Sequence, residues 1–208
     1  MWSDNKKFAV CLTHDVDRIK KTYQYITHSR KGSFLEVWQL FTNQNPYWNF
    51  KTIMEVEDKL GVRSSFFFLQ ESKKINLMRP DEWALSAGKY KFIDKKVGEI
   101  IQVLDRNGWE IGLRSSYDSY RKIALLKREK ALLESVTERP ILGVRQHYLN
   151  LNIPETWSIQ KKDGLKYDGS FGLTDNMGFR DDKFFPFRPF NDDSLVIPLT
   201  IWTRIYLD

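Results

Sequence analysis

Apolar and polar positions group along the chain into runs that predict strands and helices in turn. Phe8-Ala9-Val10-Cys11-Leu12 is a continuous apolar run that breaks into Thr13-His14-Asp15-Val16-Asp17. A buried parallel strand looks like this when it delivers polar groups to the C-terminal edge of a sheet or barrel. Ser33, with Glu36 three residues on, reads as the capping box of a helix whose apolar face is Phe34, Val37, Trp38 and Phe41. Residues 49–60 predict a second helix, with Ile53, Val56 and Leu60 on one side and Gly61 as its stop. Ser64-Ser65-Phe66-Phe67-Phe68-Leu69 is a buried strand by length and composition. Residues 70–90 show no period and predict an insertion over one face. Asp94 caps a helix carrying Val97, Ile100, Ile101 and Leu104, which Asn107-Gly108 ends.

The alternation continues. Trp109-Glu110-Ile111-Gly112-Leu113-Arg114 predicts a third strand, opening into Ser115-Ser116-Tyr117-Asp118-Ser119-Tyr120, and a charged helix follows to about Val136. Residues 141–148 predict a fourth strand, ending Gly143-Val144-Arg145-Gln146-His147-Tyr148. Pro154 suits the first turn of a short helix that Gly164 closes. Tyr167-Asp168-Gly169-Ser170-Phe171-Gly172 reads as a fifth strand, and residues 194–206 supply the last strand or strands. Strands alternating with helices mean a parallel α/β architecture. Polar residues collect just after the strands, where such folds keep their active sites. With 208 residues and neither repeat nor linker, a single domain is expected.

Composition narrows the class. Hydrophobic residues are 41% and aromatics 14%, which excludes a disordered chain. No apolar run reaches the roughly 20 residues of a membrane span. The N-terminus lacks the layout of a secretory signal, so a cytoplasmic location is expected. Cys11 is the only cysteine, which rules out an internal disulfide framework. The formal charge of +6 is scattered along helices, so a nucleic-acid partner is not expected.

The chemistry-bearing residues sit at predicted strand ends. Asp15 and Asp17 flank one apolar residue and would face the same way in a continuing strand. Such a pair suits a hard cation, or one base beside one metal ligand; a solvated acidic loop is the plain alternative. Of the three histidines, His28 lies in a polar segment and reads as a surface residue. His14 and His147 lie at strand ends, where a packed loop or a shared pocket would explain them equally well. Tyr117, Asp118 and Tyr120 could bind a hydroxyl-rich ring or form a capped helix start. Phe184, Phe185, Phe187 and Phe190 are expected in core packing.

On these motifs the chain resembles the polysaccharide deacetylase family (NodB homology, carbohydrate esterase family four). More narrowly, it is similar to a branch whose first motif reads Thr-His-Asp-Val-Asp. The resemblance runs through Thr13 to Asp17, the strand from Gly108 to Leu113, Gly143 to Tyr148, Tyr167 to Gly172 and Gly178-Phe179-Arg180. It implies a distorted (β/α) barrel and metal-assisted removal of acetyl groups from an N-acetylated sugar of a surface polysaccharide or its precursor. It also implies a Zn-like divalent ion and a carbohydrate substrate. By the same resemblance Asp15 would be the base and Asp17 a metal ligand. Arg145 would orient the base, and the backbone N–H near Tyr148 would help hold the oxyanion.

Two departures from the family pattern change these expectations. The register of the second motif puts Arg114 and Asp118 where the family has two metal-binding histidines. A guanidinium is a permanent cation and no ligand. It would repel a divalent ion and pair with Asp17 instead, leaving Asp118, His14 and His147 as replacement ligands and the ion weakly bound or absent. Arg114, Tyr117 and Tyr120 become candidates for substrate contact. The family's last motif is not found before Asp208, so the barrel is expected to lack its closing C-terminal strand and to leave an edge suited to a homodimer.

Overall fold

The structure is a computed structural model, and it describes residues 6–20, 45–73, 89–174 and 176–201. Six parallel strands pair in chain order, β1-β2-β3-β4-β5-β6. They are β1 Thr13–Val16, β2 Ser65–Leu69, β3 Glu110–Ser115, β4 Gly143–Gln146, β5 Tyr167–Asp168 and β6 Leu195–Val196. Helices α1 Phe50–Leu60, α2 Lys95–Arg106, α3 Ile123–Thr137 and α4 Glu155–Lys162 connect them. Sequential parallel order is the order of a (β/α) barrel. Among the described residues β1 and β6 do not pair, so the sheet stays open. The expected helix from Ser33, and His28, lie outside the described residues.

The helix-facing side of the sheet holds the main core. Val16, Phe66, Phe68, Ile111, Leu113 and Val144 meet Val97, Ile101 and Leu104 of α2 and Leu126 and Leu133 of α3. Each such side chain stabilises by about 2 kcal/mol through burial. On α1 the core-facing set is Phe50, Ile53, Met54 and Glu57, at helical spacing. Val56 and Leu60, expected on that face, are exposed at 49% and 68%. Gly61, at φ +64, ends α1 in the left-handed region where glycine carries no Cβ penalty.

The other face curls inward, and its packing alternates large with absent side chains. Phe67 of β2 is in register with Gly112 of β3, and Gly143 of β4 with Tyr167 of β5. A Cβ on Gly112 would stand 2.5 Å from the Phe67 ring, and one on Gly143 would collide with the Tyr167 ring. The two rings meet edge to face at 6.5 Å. Thus β3 and β4 leave room for aromatics that reach over them from the strands on either side.

Several strand ends differ from expectation. The first strand begins at Thr13, and Phe8, Val10 and Cys11 are exposed. Among the described residues β1 pairs with β2, whose register starts with Ser65 opposite Thr13; the Leu12 carbonyl still accepts the Ser65 N–H just before the ladder. β4 stops at Gln146, two residues early, because Tyr148 and Leu149 turn into the left-handed region at φ +58 and +53. Phe187 and Phe190 pack near Trp157, Phe171 and Val196, whereas Phe184 and Phe185 are exposed at 56% and 57%. No helix among the described residues is long and apolar enough to cross a membrane.

Candidate active site

Strand alternation sorts the first motif. Thr13, Asp15 and Asp17 belong to the curled face, while His14 and Val16 face the helices. Arg114 and Arg145 are register partners on β3 and β4 and share the face with Asp15. Arg114 is 1% exposed. Its Nε donates to Asp17 Oδ1 at 2.5 Å, and its Nη1 lies 3.0 Å from Asp15 Oδ2 and donates to the Gln146 carbonyl at 3.2 Å. Arg145 Nη1 donates to Asp15 Oδ1 and to Thr13 Oγ1, both at 2.9 Å, while its Nε donates to the Gly169 carbonyl at 2.9 Å. The Arg145 guanidinium also lies over the Phe67 ring at 4.5 Å. Two carboxylates therefore face two guanidiniums, and the formal charges cancel.

The electrostatics follow from that arrangement. Burial opposes ionisation of Asp17, but the Arg114 guanidinium and then His147 outweigh it and hold the carboxyl below its ordinary value. Burial likewise opposes the charge on Arg114, and Asp15 and Asp17 more than restore it. Arg114 and Asp15 each keep a second partner when one is removed, and Asp17 is 37% exposed, so solvent and the remaining pair soften the loss.

His147 flanks Asp17 on the other side. Its Nδ1 lies 3.2 Å from Glu71 Oε2, and its Nε2 lies 3.9 Å from Asp17 Oδ2. Glu71 also accepts the Lys73 N–H at 2.7 Å and the Tyr117 N–H at 3.0 Å. Burial raises the Glu71 pKa, yet His147 and these two N–H groups bring it below its usual value. The Tyr148 ring lies 4.6 Å from His147 and meets Tyr117 edge to face at 5.9 Å. Behind Glu71 a second acid, Glu129 of α3, accepts the Ser116 N–H and the Ser72 hydroxyl. Burial pushes its carboxyl up to about 7.

Other expected residues lie elsewhere. His14 points to the helix side, where its Nε2 donates to Glu57 Oε1 at 2.8 Å and its ring packs on Phe66. His14 and His147 therefore do not face one pocket, because adjacent residues of a strand point to opposite faces. Asp118 is held by Arg121 and Lys122 at 3.2 and 3.5 Å. The Tyr120 ring lies under the Arg121 guanidinium. A divalent ion wants open carboxylate oxygens and neutral imidazoles around one point. Here Arg114 engages both carboxylates, one imidazole is turned away, and Asp118 has its own cations. Among the described residues no three His, Cys, Asp or Glu side chains gather in a way that could hold a metal. The residues present do not suit a divalent ion.

Glu71, Gln146 and Thr13 carry contacts that motif reading left aside. Glu71 stands two residues past β2, so its strand-end position was the available signal. Gln146 serves through its backbone carbonyl, which no side-chain pattern reveals.

No family model matches the chain, and no curated protein matches it. Solved structures do match. One, from Mycobacterium smegmatis, is regarded as a polysaccharide deacetylase; it aligns with TM-score 0.56 and 16% identity, over 96% of this chain and 61% of that one. Another, Puue allantoinase, aligns with TM-score 0.52 and 14% identity, over 96% of this chain and 64% of that one. The chain thus spans less than two thirds of the length of each. At this identity the likeness is one of fold: the chain has the α/β fold shared by these deacetylase and allantoinase structures, with its sheet left open.

Proposed function

We propose that this chain is a deacetylase-like protein that takes an N-acetylated sugar, from a surface polysaccharide or its precursor, at the carboxyl ends of β1, β3 and β4. We further propose that it does so without a divalent ion. The observation that carries this reading is the Arg114 guanidinium held between Asp15 and Asp17. It supplies positive charge at the carboxylate pair, where the family resemblance implies a metal. Tyr148, whose ring lies against His147 and meets Tyr117 edge to face, offers an aromatic surface for a sugar ring. The test is calorimetric titration of chelator-treated protein with an N-acetylated oligosaccharide, followed by measurement of released acetate. Binding that survives chelation supports the reading, and binding that requires added Zn²⁺ overturns it.

One observation favours a second reading, binding without hydrolysis. The Asp15 side chain is only 12% exposed, its Oδ1 accepts from Arg145 and its Oδ2 lies 3.0 Å from Arg114 Nη1, which leaves the expected base little room for a water. Acetate release separates the two: its absence alongside tight binding selects the non-hydrolytic reading.

A further inference from the structure

A cavity of about 720 Å³ opens beside the candidate site, within the roughly 300–1,000 Å³ range of small-ligand pockets. Its charged lining is Glu71, Lys73, Asp118, Arg121, Lys122 and Arg128. Glu71 belongs to both places, since it borders the cavity while its Oε2 lies 3.2 Å from His147 Nδ1. Four cations thus face two carboxylates, and both carboxylates are already occupied. The Glu71 side chain is 4% exposed and accepts the Lys73 and Tyr117 N–H groups. Asp118 is shared by Arg121 and Lys122 at 3.2 and 3.5 Å. Those two cations are 58% and 53% exposed, and ion pairs so open to water are weak, so either can turn to a second anion at little cost. The Lys73 ammonium is held over the Tyr117 ring at 4.7 Å. Arg128, exposed on the second turn of α3, forms no ion pair among the described residues.

We propose that this cavity binds the phosphate group of a phosphorylated N-acetylated sugar, an assignment that rests on the acetylated-sugar reading above and narrows its substrate class. The excess of two positive charges in the lining matches a phosphate monoester, which carries close to two negative charges at neutral pH, better than it matches a single carboxylate. The guanidiniums of Arg121 and Arg128 offer paired N–H donors to phosphate oxygens, and the ammoniums of Lys73 and Lys122 add point charge. The cavity is larger than a phosphate needs, which leaves room for the sugar to extend past Glu71 toward Asp17 and His147.

Calorimetric titration of the full chain in phosphate-free buffer tests the assignment. The separate probes are N-acetylglucosamine 1-phosphate, N-acetylglucosamine and inorganic phosphate. The sugar phosphate should bind at least about tenfold more tightly than the neutral sugar. Arg128→Ala should remove most of that advantage, and alanine at an exposed helical position keeps the fold. Lys127→Ala removes the same charge from the neighbouring position, outside the cavity lining, and should bind the sugar phosphate as the unaltered chain does. Equal affinity for the sugar phosphate and the neutral sugar overturns the phosphate site while the acetylated-sugar reading stands. An equal loss in Arg128→Ala and Lys127→Ala overturns it too, because general attraction to a basic surface would then explain the binding. Binding of neither phosphate probe also overturns it. If inorganic phosphate binds as tightly as the sugar phosphate, depends on Arg128, and the neutral sugar does not bind, the phosphate site stands and the sugar reading fails.

Discussion

Arg145 Nη1, on β4, donates to Asp15 Oδ1, on β1, at 2.9 Å, although two strands separate them in the sheet. Side chains stand roughly perpendicular to a flat sheet, so a contact across two intervening strands requires the sheet to curl. The curl is what the glycines of β3 and β4 permit. The same curl brings Arg114 over both aspartates, and the site is therefore a product of the open barrel rather than of any one loop.

The glycine positions give a direct check on that packing. Gly112→Ala places a Cβ 2.5 Å from the Phe67 ring, which carries the Arg145 guanidinium on its face. Overpacking of this kind costs about 1–3 kcal/mol. Chemical denaturation should show that loss, and a second change, Phe67→Leu, should recover part of it. Strictly additive losses would contradict the proposed contact.

On the helix side, Glu57 is a buried acceptor for His14, the Ser64 N–H and hydroxyl, and Trp109 Nε1. Burial works against its charge, but these donors bring its pKa below the ordinary value of 4.5. A depressed carboxylate contributes stability that is present above pH 4.5 and is lost as the pH falls through the folded-state value. Glu57→Gln should lose about 3 kcal/mol at neutral pH and show a flatter acid limb. Parallel acid limbs for the two proteins, measured by urea unfolding across pH, would contradict this account.

Glu129 works in the opposite sense. Its folded-state pKa is raised by burial to about 7 from 4.5, so its contribution is fully present below pH 4.5 and is lost as the pH rises through 7. At about 1.4 kcal/mol per unit, the loss is of order 3 kcal/mol at most. Glu129→Gln keeps an acceptor and removes the titration. Its melting temperature should therefore vary less between pH 5 and 8 than that of the unaltered chain, by roughly 5 °C. An unchanged pH slope would place the proton elsewhere.

The strand-end motifs made much of the geometry of the candidate site legible in advance. Asp15, Asp17, Arg114 and Arg145 lie where period-two alternation and the family-like register put them, and the pairing of Arg114 with Asp17 follows from charge alone. His14 was misplaced because motif reading treated Thr-His-Asp as one polar unit, whereas a strand sends adjacent residues to opposite faces. Val56 and Leu60 misled for a related reason. Their apolar character is local, but the buried face of α1 is chosen by what the sheet offers, and that includes the charged Glu57. Glu71 was not found because its partners, His147 and the Tyr117 N–H, come from β4 and β3 ends far along the chain. No local pattern encodes a contact of that kind.

The central claim is that Arg114 supplies positive charge at the Asp15–Asp17 pair where a divalent ion is otherwise expected. At an effective dielectric near 20, charges of like sign about 4 Å apart repel by roughly 4 kcal/mol per unit pair before screening. Each 1.4 kcal/mol is about tenfold in affinity. Calorimetric titration of the unaltered chain with Zn²⁺, beside Arg114→His and Asp17→Ala, measures this directly. The account predicts no tight stoichiometric binding by the unaltered chain and a gain of at least about 100-fold in Arg114→His. Tight one-to-one binding by the unaltered chain, abolished by Asp17→Ala, would contradict it.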